Sequence, residues 1–521
     1  MSNIVNKILS QISLIKRSTY VKITFLLTGI TSTVWFLIRV IPKPQRASYP
    51  CIRVAAPLMS GFVLYLLSVI GSVATFKKAK LSFIRQNYFY TVVFLLIAFA
   101  GSLFIISRGT GYASSGSNAE WIIVPNQPVG EGKGLFPGRV VWVHDPAVAK
   151  WDGKTGNWWD ENVTSQTETD KMLNESLITL TGEKTEKKAW TALFQHFNSK
   201  LGNKNRSFKS GEKVAVKINT NNTYSHQDSP ELNASPQLVL SLLKSLIKEA
   251  GIPQKNITVF DASRFITDNI FNKCHSAFPN VVFVDNVGGD GRVKSSYVDN
   301  AIPYSVDNGK LATGLATCAV EADYLINMAL LKGHVGQGVT LCAKNYYGTT
   351  SIDNNWRKNA HDNFNPDRQG KPQYLTFVDF LAHKDLGSKT MLFLIDGIYG
   401  SKLVNGIPDP KWKMEPFNNG WACSLFASQD PVAIDAVGLD FLRCEFPDAP
   451  DMAFSDSYLI EAAQADNPPS KAKYDPQRNN ATISSLGVME HWNNAKDKKY
   501  SRNLGKNEGI ELVHKTIMAK K

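Results

Sequence analysis

The first 111 residues contain no Asp or Glu, against thirteen Lys or Arg. The rest of the chain holds 45 basic and 45 acidic residues, so the formal charge of +13 belongs to the N-terminal stretch alone. A neutral remainder argues against a nucleic-acid-binding region, which needs a basic footprint. Cysteine is also scarce, six in 521 residues, with no C-x-x-C pair. That is too few for a disulfide scaffold. Cys51 stands apart, and Cys274, Cys318, Cys342, Cys423 and Cys444 are too scattered for an iron–sulfur cluster. No repeat of solenoid period is present.

What the N-terminal stretch does have is apolar runs, at about 23–41, 55–76 and 88–107. Each has about the ~20 residues that a bilayer core requires. The first reads as a span rather than a cleaved signal peptide, since no small-residue cleavage site follows it and two more spans do. Lys7, Lys16, Arg17 and Lys22 precede it, and Lys77, Lys78, Lys80 and Arg85 lie between the second and third. Arg39, Lys43, Arg46 and Arg53 separate the first two. The positive-inside rule then puts the N-terminus in the cytoplasm and everything after Arg108 outside it. The expected organisation is a three-helix membrane region over 1–110, a linker over 111–138 rich in Gly, Ser, Asn and Pro, and a soluble domain over 139–521. The lipid bilayer is the first expected partner.

Beyond the linker, short apolar runs alternate with helical patterns. Strands are predicted at 139–144, 213–218, 257–261, 281–285, 323–328, 391–396 and 423–427. Helices are predicted at 168–180, 185–201, 236–250, 265–278, 340–347, 374–383 and 430–446. This alternation predicts an α/β fold, a mainly parallel sheet with helices on both faces. Residues 450–521 read as polar and irregular. The Trp-rich loop from Trp151 to Trp159 is a candidate ligand or lipid contact, with local packing as the competing reading.

The stretch 323–348, DYLINMALLKGHVGQGVTLCAKNYYG, carries the densest chemistry. An apolar run breaks into Lys332-Gly333-His334 and more glycines, then enters a helix bearing Thr340, Lys344 and Asn345. Gly348 is positioned to end that helix. Strand, glycine loop and helix form the geometry in which α/β proteins hold ligands, beyond a strand's carboxyl end. Free amides at the helix start and the Lys344 ammonium would attract a small anion there. Other clusters sit at strand ends: Lys217 and Asn219, Asp261, Asp396, and Asp430 and Asp435 around a strand-to-helix joint. An Asp after a strand more often makes a turn or helix cap than a catalyst. Likewise a loop lysine is often solvated, and a loop histidine often stabilises its loop. His226 and His361 are further metal-ligand candidates beside His334, with no fixed spacing to join them. The cofactor therefore stays unknown.

Taken together, VAVKIN, the helix ending KEAG, ITVFDAS, ADYLINMALLKGH, GVTLCAKNYYG, LIDGIYG and SQDPVAIDAVGLDFL resemble the domain-of-unknown-function 362 family over roughly 213–446. The resemblance implies no established activity. Family relatives often carry Pro where this chain has Ala329, and ferredoxin-like cysteine clusters that this chain lacks. The ten-residue step from His334 to Lys344 is also similar to a loop of nickel-pincer lactate racemases, where a lysine carries the cofactor and a histidine serves nearby. The small-residue run before the racemase lysine is replaced here by Val339-Thr340-Leu341-Cys342-Ala343. That similarity implies only that His334 and Lys344 face one cavity.

These residues point to an enzyme for a small anionic or carbonyl substrate. His334, Lys344 and Asp261 are its candidate catalytic groups. Lys217, Asn219, Lys332, Asn345, Asp396, Asp430 and Asp435 are its candidate ligand-binding groups. A non-catalytic ligand-binding or assembly protein of the cell envelope is the alternative.

Overall fold

The apolar runs that alternate with helical patterns pair side by side into one sheet. The computed structural model describes residues 124–517, apart from 222–223, 335–337, 352–372, 404–405, 409 and 450–451, together with positions 31, 34, 38 and 78. The chain divides into two units, Met1–Ser117 and Asn118–Lys521. Apart from positions 31, 34 and 38, the three apolar segments lie outside the described residues. Among the described residues no helix is long and apolar enough to cross a membrane.

Within the second unit the described strands are β1 (Val129–Gly130), β2 (Arg139–His144), β3 (Val214–Lys217), β4 (Ile257–Asp261), β5 (Val282–Asp285), β6 (Val293–Lys294) and β7 (Tyr297–Pro303). They continue as β8 (Ala312–Ala316), β9 (Tyr324–His334), β10 (Gly338–Thr340), β11 (Thr390–Ser401), β12 (Ser424–Ser428), β13 (Val488–Met489) and β14 (Glu511–Thr516). The main sheet runs β14-β2-β12-β11-β9-β3-β4-β5-β6, with β10 folded back on β9. From β11 to β6 every pairing is parallel. Only β12 and the short β10 run against that direction. The parallel strands therefore bring the ends of β3, β4 and β9 to one edge.

Strand side chains alternate between faces, which gives each strand two apolar stripes. Leu325, Ala329 and Leu331 of β9 enter one core, and Tyr324, Ile326, Met328 and Leu330 the other. Helices α1 (Gln166–Thr181), α2 (Glu186–Lys200), α3 (Pro236–Lys244) and α4 (Asp268–Ala277) cover the second core. Helices α5 (Thr317–Glu321), α6 (Cys342–Asn345), α7 (Thr376–Ala382), α8 (Pro431–Glu445) and α9 (Asp456–Ala463) contribute to the first. The predicted two-faced, mainly parallel arrangement is the one observed. Local signals explain the helix boundaries. The Ser165 and Thr185 hydroxyls accept from the third-residue amides of α1 and α2, and Gly182 closes α1 at φ 71°. Asp430 caps α8 through the amides of Val432 and Ala433.

Two expectations need correction. The apolar run at 323 does not stop at Met328. It continues as an eleven-residue strand through Lys332 and Gly333 to His334. Gly333 is needed there, because a Cβ would lie 2.1 Å from the Lys402 carbonyl oxygen. Nor is the C-terminal region irregular throughout, since α9 packs on α7 and α8 and β14 extends the main sheet beside β2. The tryptophans of the 151–159 loop are largely packing residues: Trp151 stacks on Trp421 at 5.5 Å and Trp158 meets Tyr399 at 5.4 Å, all four rings buried.

His491 ties this C-terminal region to the helices. Its Nε2 lies 3.0 Å from Asp456, and its Nδ1 contacts Asp440. Burial opposes the imidazolium, yet Asp440 and Asp456 together raise it to about 10. The ordinary histidine value is about 6.5, so the stabilisation is complete below that pH and is lost as pH rises through 10. His491→Gln should cost about 2–3 kcal/mol at pH 6, the scale of hydrogen bonds to charged groups. In urea unfolding, the gap between wild type and variant should narrow at high pH. An equal gap at pH 6 and above pH 10 would contradict the charge assignment.

Candidate functional site

The ends of β3, β4 and β9 and the turn 342–349 enclose a cavity of about 60 Å³. Each element contributes polar groups. β3 ends in Lys217 and leads into Asn219, Thr220 and Asn221. β4 ends in Asp261, followed by Ser263 and Arg264. β9 brings Lys332 and His334, and β10 brings Thr340. The turn brings Lys344, Asn345, Tyr347 and Gly348.

Lys217 is fully buried in the floor. Its ammonium donates to Asp261 Oδ2 at 3.1 Å, to Asn345 Oδ1 at 2.9 Å and to the Ile218 carbonyl. Burial lowers it below the usual lysine range, and the Asp261 carboxylate partly offsets this. Asp261 also accepts from the amides of Thr220 and Ser263. Asn345 is the hub: its oxygen takes Lys217 and Asn219, and its Nδ2 donates to Asn327 Oδ1 at 2.8 Å and to the Met328 carbonyl. Gly348 closes over this pair. A Cβ there would lie 2.6 Å from Lys217 Nζ and 2.7 Å from Asp261 Oδ1, so glycine serves close approach rather than helix ending.

Lys332 is 1 % exposed and donates to Asn221 Oδ1. Burial first, then the Lys344 and Arg264 charges, pull it well below the ordinary lysine range. Among the described residues the cavity is thus lined by four cationic side chains, a histidine and a single carboxylate, which Lys217 already engages.

The structure brings Lys217, Asn219, Asp261, Lys332, His334, Lys344 and Asn345 to this cavity. It places the remaining three carboxylates elsewhere. Asp396 accepts from the amides of Ser235 and Ile398, shaping the entry to α3, and burial raises it to about 6. Asp430 is the α8 cap and holds Lys133 N and Val488 N, likewise raised by burial to about 6. Asp435 accepts from the amides of Cys342 and Ala343 at 2.8 and 2.9 Å and from the Tyr458 hydroxyl, and burial raises it to about 7. The start of α6 therefore meets a protein carboxylate rather than a ligand. Thr340 lies in β10, not one helical turn before Lys344.

Arg264, Asn221 and Tyr347 escaped the sequence reading. The asparagine-rich run after β3 and the arginine three residues after Asp261 were the available signals. His361 lies outside the described residues, and His226 pairs with Asp285 at 2.8 Å and Asp290 at 3.1 Å. Among the described residues no group of three or more His, Cys, Asp or Glu is arranged to hold a metal ion.

Residues 214–440 match the model of a family described as a domain of unknown function, DUF362. This stretch is a DUF362 domain. Comparison with curated proteins finds no match. The match begins at the first residue of β3 and ends within α8, so it spans every element of the cavity. It also contains Asp435, through which α8 of the DUF362 domain holds the turn that carries Lys344.

Proposed function

We propose that the DUF362 domain is an enzyme for a small carbonyl compound bearing a carboxylate or phosphate. The observation that carries this reading is the convergence of Lys217, Arg264, Lys332, Lys344 and His334 on a cavity with one carboxylate among its described residues. At about 60 Å³ the space equals roughly two waters at ~30 Å³ each, so it takes the anionic or carbonyl end of a substrate. Lys344 and Arg264 hold the anion. Lys332, desolvated beside two cations, is the base or nucleophile, as lysines so placed lose their proton readily. His334 relays the proton, and the Lys217–Asp261–Asn345 floor keeps the geometry rigid. The polar lining favours this over the apolar groove expected of a peptide-binding module.

Calorimetric titration of the full chain with pyruvate and with inorganic phosphate tests the reading. Lys344→Met keeps most of the stem and removes the charge. It should weaken binding by about 2–4 kcal/mol, typical of a desolvated charged contact. A change within about 0.5 kcal/mol would mark Lys344 as a solvated surface residue. Borohydride treatment with pyruvate should add the reduced imine mass at Lys332 if it is the nucleophile. Anion binding with no turnover or trapping would leave a binding protein.

The apolar runs at 23–41, 55–76 and 88–107 support a second part of the proposal, a domain tethered to a bilayer and exposed outside the cytoplasm. Reporter fusions after Arg108 should be active only in the exported compartment. Strong cytoplasmic activity would overturn this topology.

A further inference from the structure

The opposite edge of the sheet, where β11 begins, holds more space than the Lys332 cavity. Two cavities of about 340 Å³ each share Lys133, Lys200, Thr390 and Gln429 in their walls. Each reaches the lower end of the ~300–1,000 Å³ usual for small-molecule sites.

The walls are built rather than incidental. The Gly132-Lys133-Gly134 turn is tied on both sides of the Gln429–Asp430 joint. Lys133 N donates to Asp430 Oδ2 at 2.8 Å, and Leu135 N to Gln429 Oε1 at 2.9 Å. Gly134, at φ 103°, is in a conformation that side chains disfavour, and a Cβ would lie 2.9 Å from the Gln429 Cβ. The cleft is cationic. Among the described residues the Lys133 ammonium has only a long 3.4 Å contact with exposed Glu131. Lys200, at the end of α2, has no side-chain hydrogen bond or ion pair among the described residues. His196 lies one helical turn before it on the same face. Burial and then the like charge of Lys133 pull Lys200 below the usual lysine range, and the Asp430 carboxylate partly offsets this. Among the described residues the one carboxylate in the walls, Asp475, is engaged by the amides of Asn479 and Asn480. Beside these cations Phe197 and Met391 form an apolar wall.

We propose that the cleft between Lys133 and Lys200 is a second binding site, for an organic anion with an apolar body and one phosphate or carboxylate head. The two ammonium groups take the head and the Phe197 side takes the body. The site is independent of the Lys332 cavity, because it uses the other edge of the sheet.

The probe is 1-naphthyl phosphate, titrated into the full chain by fluorescence, with inorganic phosphate as the head-only arm. Saturable binding at the cleft is expected, with inorganic phosphate a weak competitor there. Lys200→Met should weaken the probe about tenfold, the effect of losing one charged contact of 1.4 kcal/mol. Ser199→Trp, at an exposed position beside the cleft, should fill it and abolish binding. Lys344→Met should leave binding unchanged. Circular dichroism would show that each variant is folded. Absence of saturable binding, or indifference to both cleft variants, would overturn the site. Loss of binding in Lys344→Met would assign the probe to the other cavity, and equally tight inorganic phosphate would overturn the apolar part of the ligand class.

Discussion

Lys217→Met is expected to destabilise the domain by about 3–5 kcal/mol, the cost of leaving one member of a buried ion pair without its partner. Lys217 is 0 % and Asp261 2 % exposed, so bulk solvent does not replace either. The substitution leaves the Asp261 carboxylate with the Thr220 and Ser263 amides and the Ser263 hydroxyl as its donors among the described residues. Asp261→Asn should cost less, because Asn345 and Ile218 still accept from the Lys217 ammonium. The double variant should lose less than the two singles combined, since removing both partners leaves no uncompensated charge. A double-mutant cycle by urea unfolding measures this coupling. Additive effects would mean that the two groups do not stabilise each other. The pair supports the cavity floor, so the same variants should also lose anion binding.

Asp435→Ala is the second large effect. The carboxylate receives three hydrogen bonds, from Cys342 N, Ala343 N and Tyr458 Oη, and all three donors would be left buried. At about 1–3 kcal/mol for each unsatisfied buried group, with partial relaxation, the loss should be about 3–5 kcal/mol. Asp435 is not among the residues that line the cavity. It is a positioning residue, holding the turn from which Lys344 and Asn345 project. Asp435→Asn keeps an acceptor and should recover part of the stability. Thermal unfolding and calorimetric anion binding should fall together in Asp435→Ala and recover together in Asp435→Asn. Unaltered anion binding in a destabilised Asp435→Ala protein would separate the turn from the site.

The cavity was legible because parallel strands send all their carboxyl ends to one edge. Lys217 and Asp261 each follow an apolar run in the sequence, and register alone then sets them on neighbouring strands. The same logic fails for Asp430. It too follows an apolar run, but β12 is antiparallel to β11, with Ser428 opposite Phe393, so its end points to the other edge. Asp396 and Asp261 look alike in sequence, as carboxylates late in apolar runs. Only the neighbours differ: Asp261 meets a lysine ammonium, Asp396 two backbone amides. The cleft beside Lys200 was not legible, because its walls come from segments around 133, 200, 390 and 429 that no local pattern connects.

Periodicity, glycine placement and charge distribution by themselves determined the α/β class, most strand and helix positions, and the separation of a basic apolar N-terminal stretch from a neutral domain. These are local properties, set by side-chain spacing of two or 3.6 residues and by backbone preference. Tertiary structure decided which polar residues at strand ends share a cavity, which carboxylates cap helices, and how far β9 runs before it turns. Those outcomes depend on strand direction and on partners distant in sequence. Burial makes an unpaired charge costly, so each buried carboxylate and ammonium took its role from the group the fold set against it.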